Sequence, residues 1–150
     1  MAVPCIMHPV MQKKILRDIV VKPKPWGREV WFAWTPQYAG KILEIEKGHR
    51  FSLQVHEKKC ETQLVIEGKV KFTYGTNPKK LREVVLKAGE KVDIPPGLIH
   101  RVQAITKTIL FEVSSPELDD VVKLADDYGR GGRGNNEALD KKLARKGRNF

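Results

Sequence analysis

A chain of 150 residues has room for one domain of ordinary size. Hydrophobic residues at 41% and charged residues at 31% exclude wholesale disorder and collagen-like classes, and no apolar run approaches the ~20 residues that cross a bilayer. The net charge of +10 invites a nucleic-acid reading, but half of it is local: residues 130–150 carry seven Arg or Lys and only two acids, a net of +5. The body is therefore only mildly basic. Met1 to Val10 lacks a charged segment leading into an apolar one, so no secretory signal is expected. Cys5 and Cys60 are too few for a disulfide framework or zinc knuckle and read as reduced thiols in a cytoplasmic protein.

Residues 1–14 show no period and read as a loose lead-in. Short runs rich in Val, Ile, Phe, Tyr and Trp follow, at about Ile15 to Val21, Glu29 to Trp34, Gly40 to Glu46, Arg50 to His56, Glu61 to Glu67, Lys69 to Tyr74, Leu81 to Leu86, Lys91 to Ile94, Arg101 to Ile105 and Lys107 to Val113. Turn residues separate them, among them Lys47-Gly48, Glu67-Gly68, Ala88-Gly89 and Pro95-Pro96-Gly97. Short strands at even spacing, with no helical period between them, predict an all-β antiparallel sandwich or barrel.

After Val113 the period changes. Ser115-Pro116-Glu117 has the residues of a helix start, and Leu118, Val121, Val122 and Ala125 share one helical face, predicting a short C-terminal packing helix to about Asp126. The barrel and this helix are assigned residues 15–130. Glycines at 129, 131, 132 and 134 then break the chain, and residues 131–150 read as a basic tail, flexible or partly helical, with Leu139 and Leu143 as a thin stripe over 136–146.

The chemistry concentrates in two stretches. In Gly48 to Glu61, alternation puts Ser52, Gln54 and His56 on one face and Phe51, Leu53 and Val55 on the other; on the next strand Glu61, Gln63 and Val65 alternate with Leu64 and Ile66. In Gly89 to His100, the Pro-Pro-Gly turn can aim the His100 imidazole inward. Gln54, His56, Glu61 and His100 together supply an amide oxygen, two imidazoles and a carboxylate. That set suits zinc, iron(II), manganese or another first-row divalent metal.

These stretches resemble the two motifs of the cupin superfamily. The first runs from Gly48 through Gln54, His56 and Glu61 to Gly68, with Gln54 where the first His usually stands; the second is filled by Gly89, Pro95, Gly97 and His100. The implied fold is the double-stranded β-helix, or jelly-roll barrel. Five segments in the same order, Lys24-Pro25-Trp26-Gly27, Ser52-Leu53-Gln54-Val55-His56, Ile94-Pro95-Pro96-Gly97, His100-Arg101 and Asp126-Asp127-Tyr128-Gly129-Arg130, resemble the cupin domain of type II mannose-6-phosphate isomerases over about residues 20–130. The resemblance implies a metal on Gln54, His56, Glu61 and His100, and cupins often pair through their barrel edges, so a homodimer is expected. In that family a guanylyltransferase domain often precedes the cupin; none is recognised in these residues. The chain departs from the family at Glu57-Lys58-Lys59, where a second His and an Arg are usual, at Ser114-Ser115-Pro116, and at Leu118-Asp119-Asp120-Val121-Val122-Lys123.

An aldose–ketose isomerase needs a group that polarises oxygens and a base within reach of a C–H. Glu61, if free of the metal, and Glu112 are the candidate bases, with Gln63 and Ser52 positioning substrate. Arg50, Lys24 and Arg101 are the candidate cations for a phosphosugar, although strict alternation with His100 points Arg101 outward unless a bulge intervenes. Each carries a plainer reading: Glu112 as an outward salt-bridging acid, Arg50 and Lys24 as solvated charges, Cys60 as a wall-lining hydrophobe, Trp26, Trp31 and Trp34 as barrel packing, and Asp126 to Arg130 as a helix-ending lock. His8 and His49 are read as uninvolved, and Gly129 to Gly134 not as a phosphate loop. Three functions remain: a metal-dependent sugar-phosphate isomerase, a cupin that binds a sugar or sugar phosphate without turnover, and an iron dioxygenase. The polar Ser52, Gln54 and Gln63 favour a carbohydrate ligand over the aromatic substrate of the last. Specific nucleic-acid binding ranks below all three, since no such motif appears.

Overall fold

A computed structural model describes residues 19–146. The lead-in, Cys5, His8, Arg148 and the start of the first expected strand lie outside the described residues. The strands are β1 (Val20–Lys24), β2 (Gly27–Trp34), β3 (Ala39–Ile45), β4 (Leu53–Val55), β5 (Glu61–Glu67), β6 (Lys69–Gly75), β7 (Arg82–Lys87), β8 (Lys91–Ile94), β9 (Ile99–Ala104), β10 (Thr108–Ser114), β11 (Val122–Ala125) and β12 (Gly132–Arg133), followed by helix α1 (Glu137–Lys146). They form two six-stranded antiparallel sheets, in the orders β1-β2-β3-β10-β5-β8 and β12-β11-β4-β9-β6-β7. This is the expected jelly-roll barrel.

Strand alternation decides what fills it. Lys41, Leu43 and Ile45 of β3, Glu61, Gln63 and Val65 of β5, and Thr108, Leu110 and Glu112 of β10 all point inward and are buried. Register turns these into cross-strand rows. Leu43, Leu110 and Val65 stand side by side, and one pleat further along Lys41, Glu112 and Gln63 do the same. One end of the interior is thus apolar, completed by Trp26, Phe51, Val70, Phe72, Ile94 and Val102, and the other is polar. The expectation that polar and apolar side chains divide between the two faces of the wall fails at Phe51. It is buried against Trp26, ring centroids 4.4 Å apart, while Ser52 beside it is buried too, because the chain at 51–52 is not in a strand and need not alternate.

The packing helix expected over Ser115 to Asp126 does not form. Residues 115–121 are a loop and Val122–Ala125 is strand β11, which covers the edge of β4 that faces away from β9. An open edge leaves backbone donors and acceptors unpaired, and closing it overrides the weak helical pattern of this stretch. The helix of the fold lies later, where Asn136 caps α1 by accepting the Leu139 N–H at 3.0 Å. The helix docks on β1 through Asp140 and Ala144, with Lys22 paired to Glu137, and turns Lys141, Lys142, Arg145 and Lys146 to solvent. Much of the tail's basic charge therefore sits on the outer face of a docked helix.

Gly27 allows the tight β1–β2 turn: with φ of 148°, any Cβ there would lie 1.9 Å from the Glu44 carbonyl oxygen. In the apolar rows Leu110 is 1% exposed between Leu43 and Val65. Leu110→Ala should lower stability by about 2–5 kcal/mol in urea unfolding without changing the m-value.

Candidate metal centre

Three side chains converge at the polar end of the barrel. His56 follows β4, His100 is the second residue of β9, and Glu61 opens β5. Their nearest ligand atoms lie within 4.8 Å of one another, and all three are buried. Glu61 Oε1 stands 3.4 Å from His100 Nε2 and 3.7 Å from His56 Nε2. The two sequence motifs meet here through the backbone: the Gly97 N–H, at φ of 82°, donates to the His56 carbonyl at 2.8 Å.

Hydrogen bonds orient both imidazoles. His100 Nδ1–H donates to the Leu98 carbonyl at 3.0 Å, and His56 Nδ1–H donates to the Asp120 carbonyl. Each Nε2 therefore presents its lone pair inward. His56 Nε2 is buried and has no hydrogen-bond partner. Such an atom costs free energy unless something fills the position it faces. Asp120 also locks the loop between His56 and Glu61, its carboxylate accepting the N–H groups of Glu57, Lys58 and Lys59 at 3.1, 2.6 and 2.8 Å.

Gln54 pairs with His100 across β4 and β9, with its Nε2 3.5 Å from His100 Nε2 and its Oε1 accepting from Ser52 Oγ at 2.9 Å. Rotating the amide end for end would present the oxygen to the histidines, and the Ser52 hydroxyl can accept as readily as it donates. Ser52 thus positions Gln54. Two imidazole nitrogens, one carboxylate oxygen and one amide oxygen are a chemically suitable donor set for a divalent first-row ion.

Lys59, passed over in the sequence, is central. It is 4% exposed, and its ammonium bonds Glu61 Oε2 and, at 3.1 Å, Glu112 Oε1. Burial by itself would raise the Glu61 pKa, but the Lys59 ammonium beside it holds it well below the usual carboxylate range. Burial would likewise lower the Lys59 pKa, and the Glu112 and Glu61 charges overcome that and raise it. Glu112 points inward, so its reading as an outward acid does not hold. Gln63 Nε2 donates to Glu61 Oε1 and Glu112 Oε2, both at 3.2 Å, and its buried Oε1 is without a partner.

The remaining candidates divide. Lys24 is buried, 2.8 Å from Asp140 and 3.6 Å from Glu29, and lines the cavity. Arg50 does not line it; its guanidinium forms a two-point pair with Asp127, at 2.6 and 2.8 Å, on the outside. Arg101 also points outward, as alternation with His100 requires, and donates to the Ala125 carbonyl at 3.0 Å; its pairing with Thr73 is regular, so no bulge turns it in. Cys60 is exposed and lines no interior wall. Trp26 is core packing, whereas Trp31 is half-buried and donates to Glu29 at 2.7 Å, and Trp34 is exposed. Asp126 to Arg130 is a lock, but of a loop: Asp126 accepts from the backbone and side chain of Arg130, which reaches on to Asp140.

Lys41 and Glu29 also belong to this interior network, and for Lys41 the sequence carries the signal. Leu43 and Ile45 inward with Glu44 outward places Lys41 inward by the period of two. Lys41 lies 3.5 Å from Glu29 and 3.9 Å from Glu112. Lys59 carried no such signal, because it lies in a loop. The cavity these groups enclose has a volume of about 60 Å³.

Residues 12–126 match the family described as mannose-6-phosphate isomerase C-terminal. The mannose-1-phosphate guanylyltransferase of Escherichia coli strain K12 is 33% identical over 112 residues, covering 71% of this chain and 22% of that protein. The chain thus spans about a fifth of the length of the curated relatives it matches. Among solved structures, the capsular polysaccharide assembling protein CapF of Staphylococcus aureus superposes with a TM-score of 0.61 at 21% identity, over 73% of this chain and 35% of CapF. An RmlC-like cupin from Shewanella frigidimarina gives 0.57 at 18%, over 69% and 88%. These two likenesses establish the cupin fold.

Two predictions follow from the buried charges. Removing the Lys59 ammonium leaves Glu61 and Glu112 facing each other, so Lys59→Met should cost about 3–5 kcal/mol in urea unfolding of metal-free protein. Adding Glu112→Gln should recover part of that loss in a double-mutant cycle. Glu29 is the second case. Burial would raise its pKa, but Lys41 and Lys24 lower it to about 2. Its contribution is fully present above the unfolded value of 4.5 and is lost as pH falls from there toward 2. At ~1.4 kcal/mol per unit this amounts to about 3 kcal/mol, and Glu29→Gln should flatten that part of the acid-stability curve.

Proposed function

Because the chain belongs to the family of mannose-6-phosphate isomerase C-terminal domains, we propose that it is a metal-dependent aldose–ketose isomerase acting on a phosphorylated hexose, interconverting mannose 6-phosphate and fructose 6-phosphate. The observation that carries this reading is the unpartnered, buried Nε2 of His56, facing Glu61 and His100 in a polar interior. Gln54, His56, Glu61 and His100 would hold the ion, with manganese, zinc or iron(II) as the chemical candidates. When bound, it polarises the substrate's carbonyl and hydroxyl oxygens and offsets the negative charge that develops on them.

The protein's own groups do the rest. Glu61 faces the imidazoles with Oε1 and Lys59 with Oε2, so it is committed to holding the ion. The base is then Glu112, which takes the proton from C2 of the aldose and returns it at C1, while the O2 hydroxyl proton passes to O1 through the enediol. Lys59 and Gln63 fix the Glu112 carboxylate from either side, and the free Oε1 of Gln63 accepts from a substrate hydroxyl. A second reading, binding without turnover, draws on the same contacts: both Glu112 oxygens already accept hydrogen bonds, and a carboxylate so engaged is a poorer base. The proposed homodimer would use the outer face of the β1-β2-β3-β10 sheet, where Val21, Phe32 and Val113 are exposed. Among the described residues no helix is long and apolar enough to cross a membrane.

Protein loaded separately with manganese, zinc and iron(II) should convert mannose 6-phosphate to fructose 6-phosphate, and His100→Ala should abolish both metal uptake and conversion. Metal uptake and sugar binding without conversion under all three ions would establish the binding-only reading instead. Failure to take up any of the ions would defeat both.

A further inference from the structure

A phosphosugar needs a cation for its phosphate, and the tertiary contacts occupy those the sequence offered. Arg50 is paired with Asp127, Arg101 points away, and Lys24 is held by Asp140 and Glu29. Lys123 is different. Strand β11 pairs with β4 so that Lys123 stands opposite Gln54, and Gln54 in turn stands opposite His100 on β9. Side chains in one cross-strand row share a face. Lys123 therefore projects to the side of the sheet occupied by Gln54 and His100, and it lines the same cavity.

Its ammonium is also poorly compensated. It donates to the Gly134 carbonyl, and among the described residues no carboxylate lies within 4.0 Å of it. The nearby acids are spent on other cations: Asp126 and Asp140 bind Arg130, and Asp140 also binds Lys24. Half-burial, together with the positive charges of Arg130 and Lys24, pushes the Lys123 pKa down. On its other side Lys123 borders a groove of about 410 Å³ with Gly131, Arg133 and Asn135 in its wall. Lys123 thus lines both the inner cavity and this groove.

We propose that Lys123 is the anchor for the phosphoryl group of a sugar phosphate whose reactive end reaches the Gln54, His56, Glu61 and His100 cluster. From β11 to β9 is two strand spacings, about 10 Å, a span suited to a hexose phosphate bound with its carbonyl end toward β9 and its phosphate toward β11. The assignment rests on the sugar-phosphate reading of the site but not on turnover.

Calorimetric titration of metal-loaded protein with mannose 6-phosphate, mannose and inorganic phosphate tests it directly. The wild-type protein should bind mannose 6-phosphate at least about tenfold more tightly than mannose, and Lys123→Met should erase most of that difference while leaving mannose affinity and melting temperature unchanged. Lys123→Arg should restore most of the preference. The assignment is overturned if Lys123→Met leaves mannose 6-phosphate affinity intact, if it weakens both sugars equally, or if the wild-type protein shows no preference for the phosphorylated sugar. A Lys123-dependent preference without isomerisation would reject the isomerase and keep the anchor. Isomerisation undisturbed in Lys123→Met would do the reverse.

Discussion

A line of buried charges alternating in sign runs through the polar end of this barrel, and the site depends on it. From Glu61 it passes to Lys59, Glu112, Lys41, Glu29, Lys24, Asp140, Arg130 and Asp126, each within ion-pair distance of the next. Taking any of these groups out of water unpaired costs several kcal/mol, so each is tolerable only because its neighbours are in place. The line joins strands β1, β2, β3, β5 and β10 to the docked helix. It also commits one carboxylate oxygen of Glu61 to Lys59 and leaves the other facing the two imidazoles.

The apolar end of the barrel plays a complementary part. Leu43, Leu110 and Val65 form a row one pleat from Lys41, Glu112 and Gln63, so the packing that excludes water from one row also sets the spacing of the other. Hydrogen bonds donated to the Leu98 and Asp120 carbonyls then set the tautomers of the two histidines. Asp120 comes from the stretch that a helix would have consumed. As a loop it can cap the backbone at 57–59 and accept from His56, and as strand β11 the residues after it bring Lys123 beside Gln54.

This arrangement changes the meaning of the chain's basic charge. Much of the surplus in the C-terminal residues lies on the solvent face of α1, while Lys24, Lys41 and Lys59 are interior groups partnered by acids. On the proposed reading, the positive charge that bears on ligand recognition is Lys123 at the cavity's edge rather than the overall +10.

Much of the fold and of the candidate metal cluster was legible in the sequence, because both rest on local rules. The period of two and the turn residues locate most strands, and the Gly48 to Gly68 and Gly89 to His100 spacings single out Gln54, His56, Glu61 and His100. The rest depended on contacts between distant segments. Residues 118–126 carry a helical pattern, yet the open edge of β4 draws them into a strand. Arg50 and Lys24 look alike as basic residues, yet one meets Asp127 outside the barrel and the other Asp140 inside it, partners 77 and 116 residues away. Lys59 sits in a loop with no period to reveal its direction, and it is the approach of Glu112 from β10, beside Glu61, that compensates its burial. Periodicity settles which face a strand residue takes; which charge meets which across the barrel is settled by strand order and register, and these exist only once the chain has closed on itself.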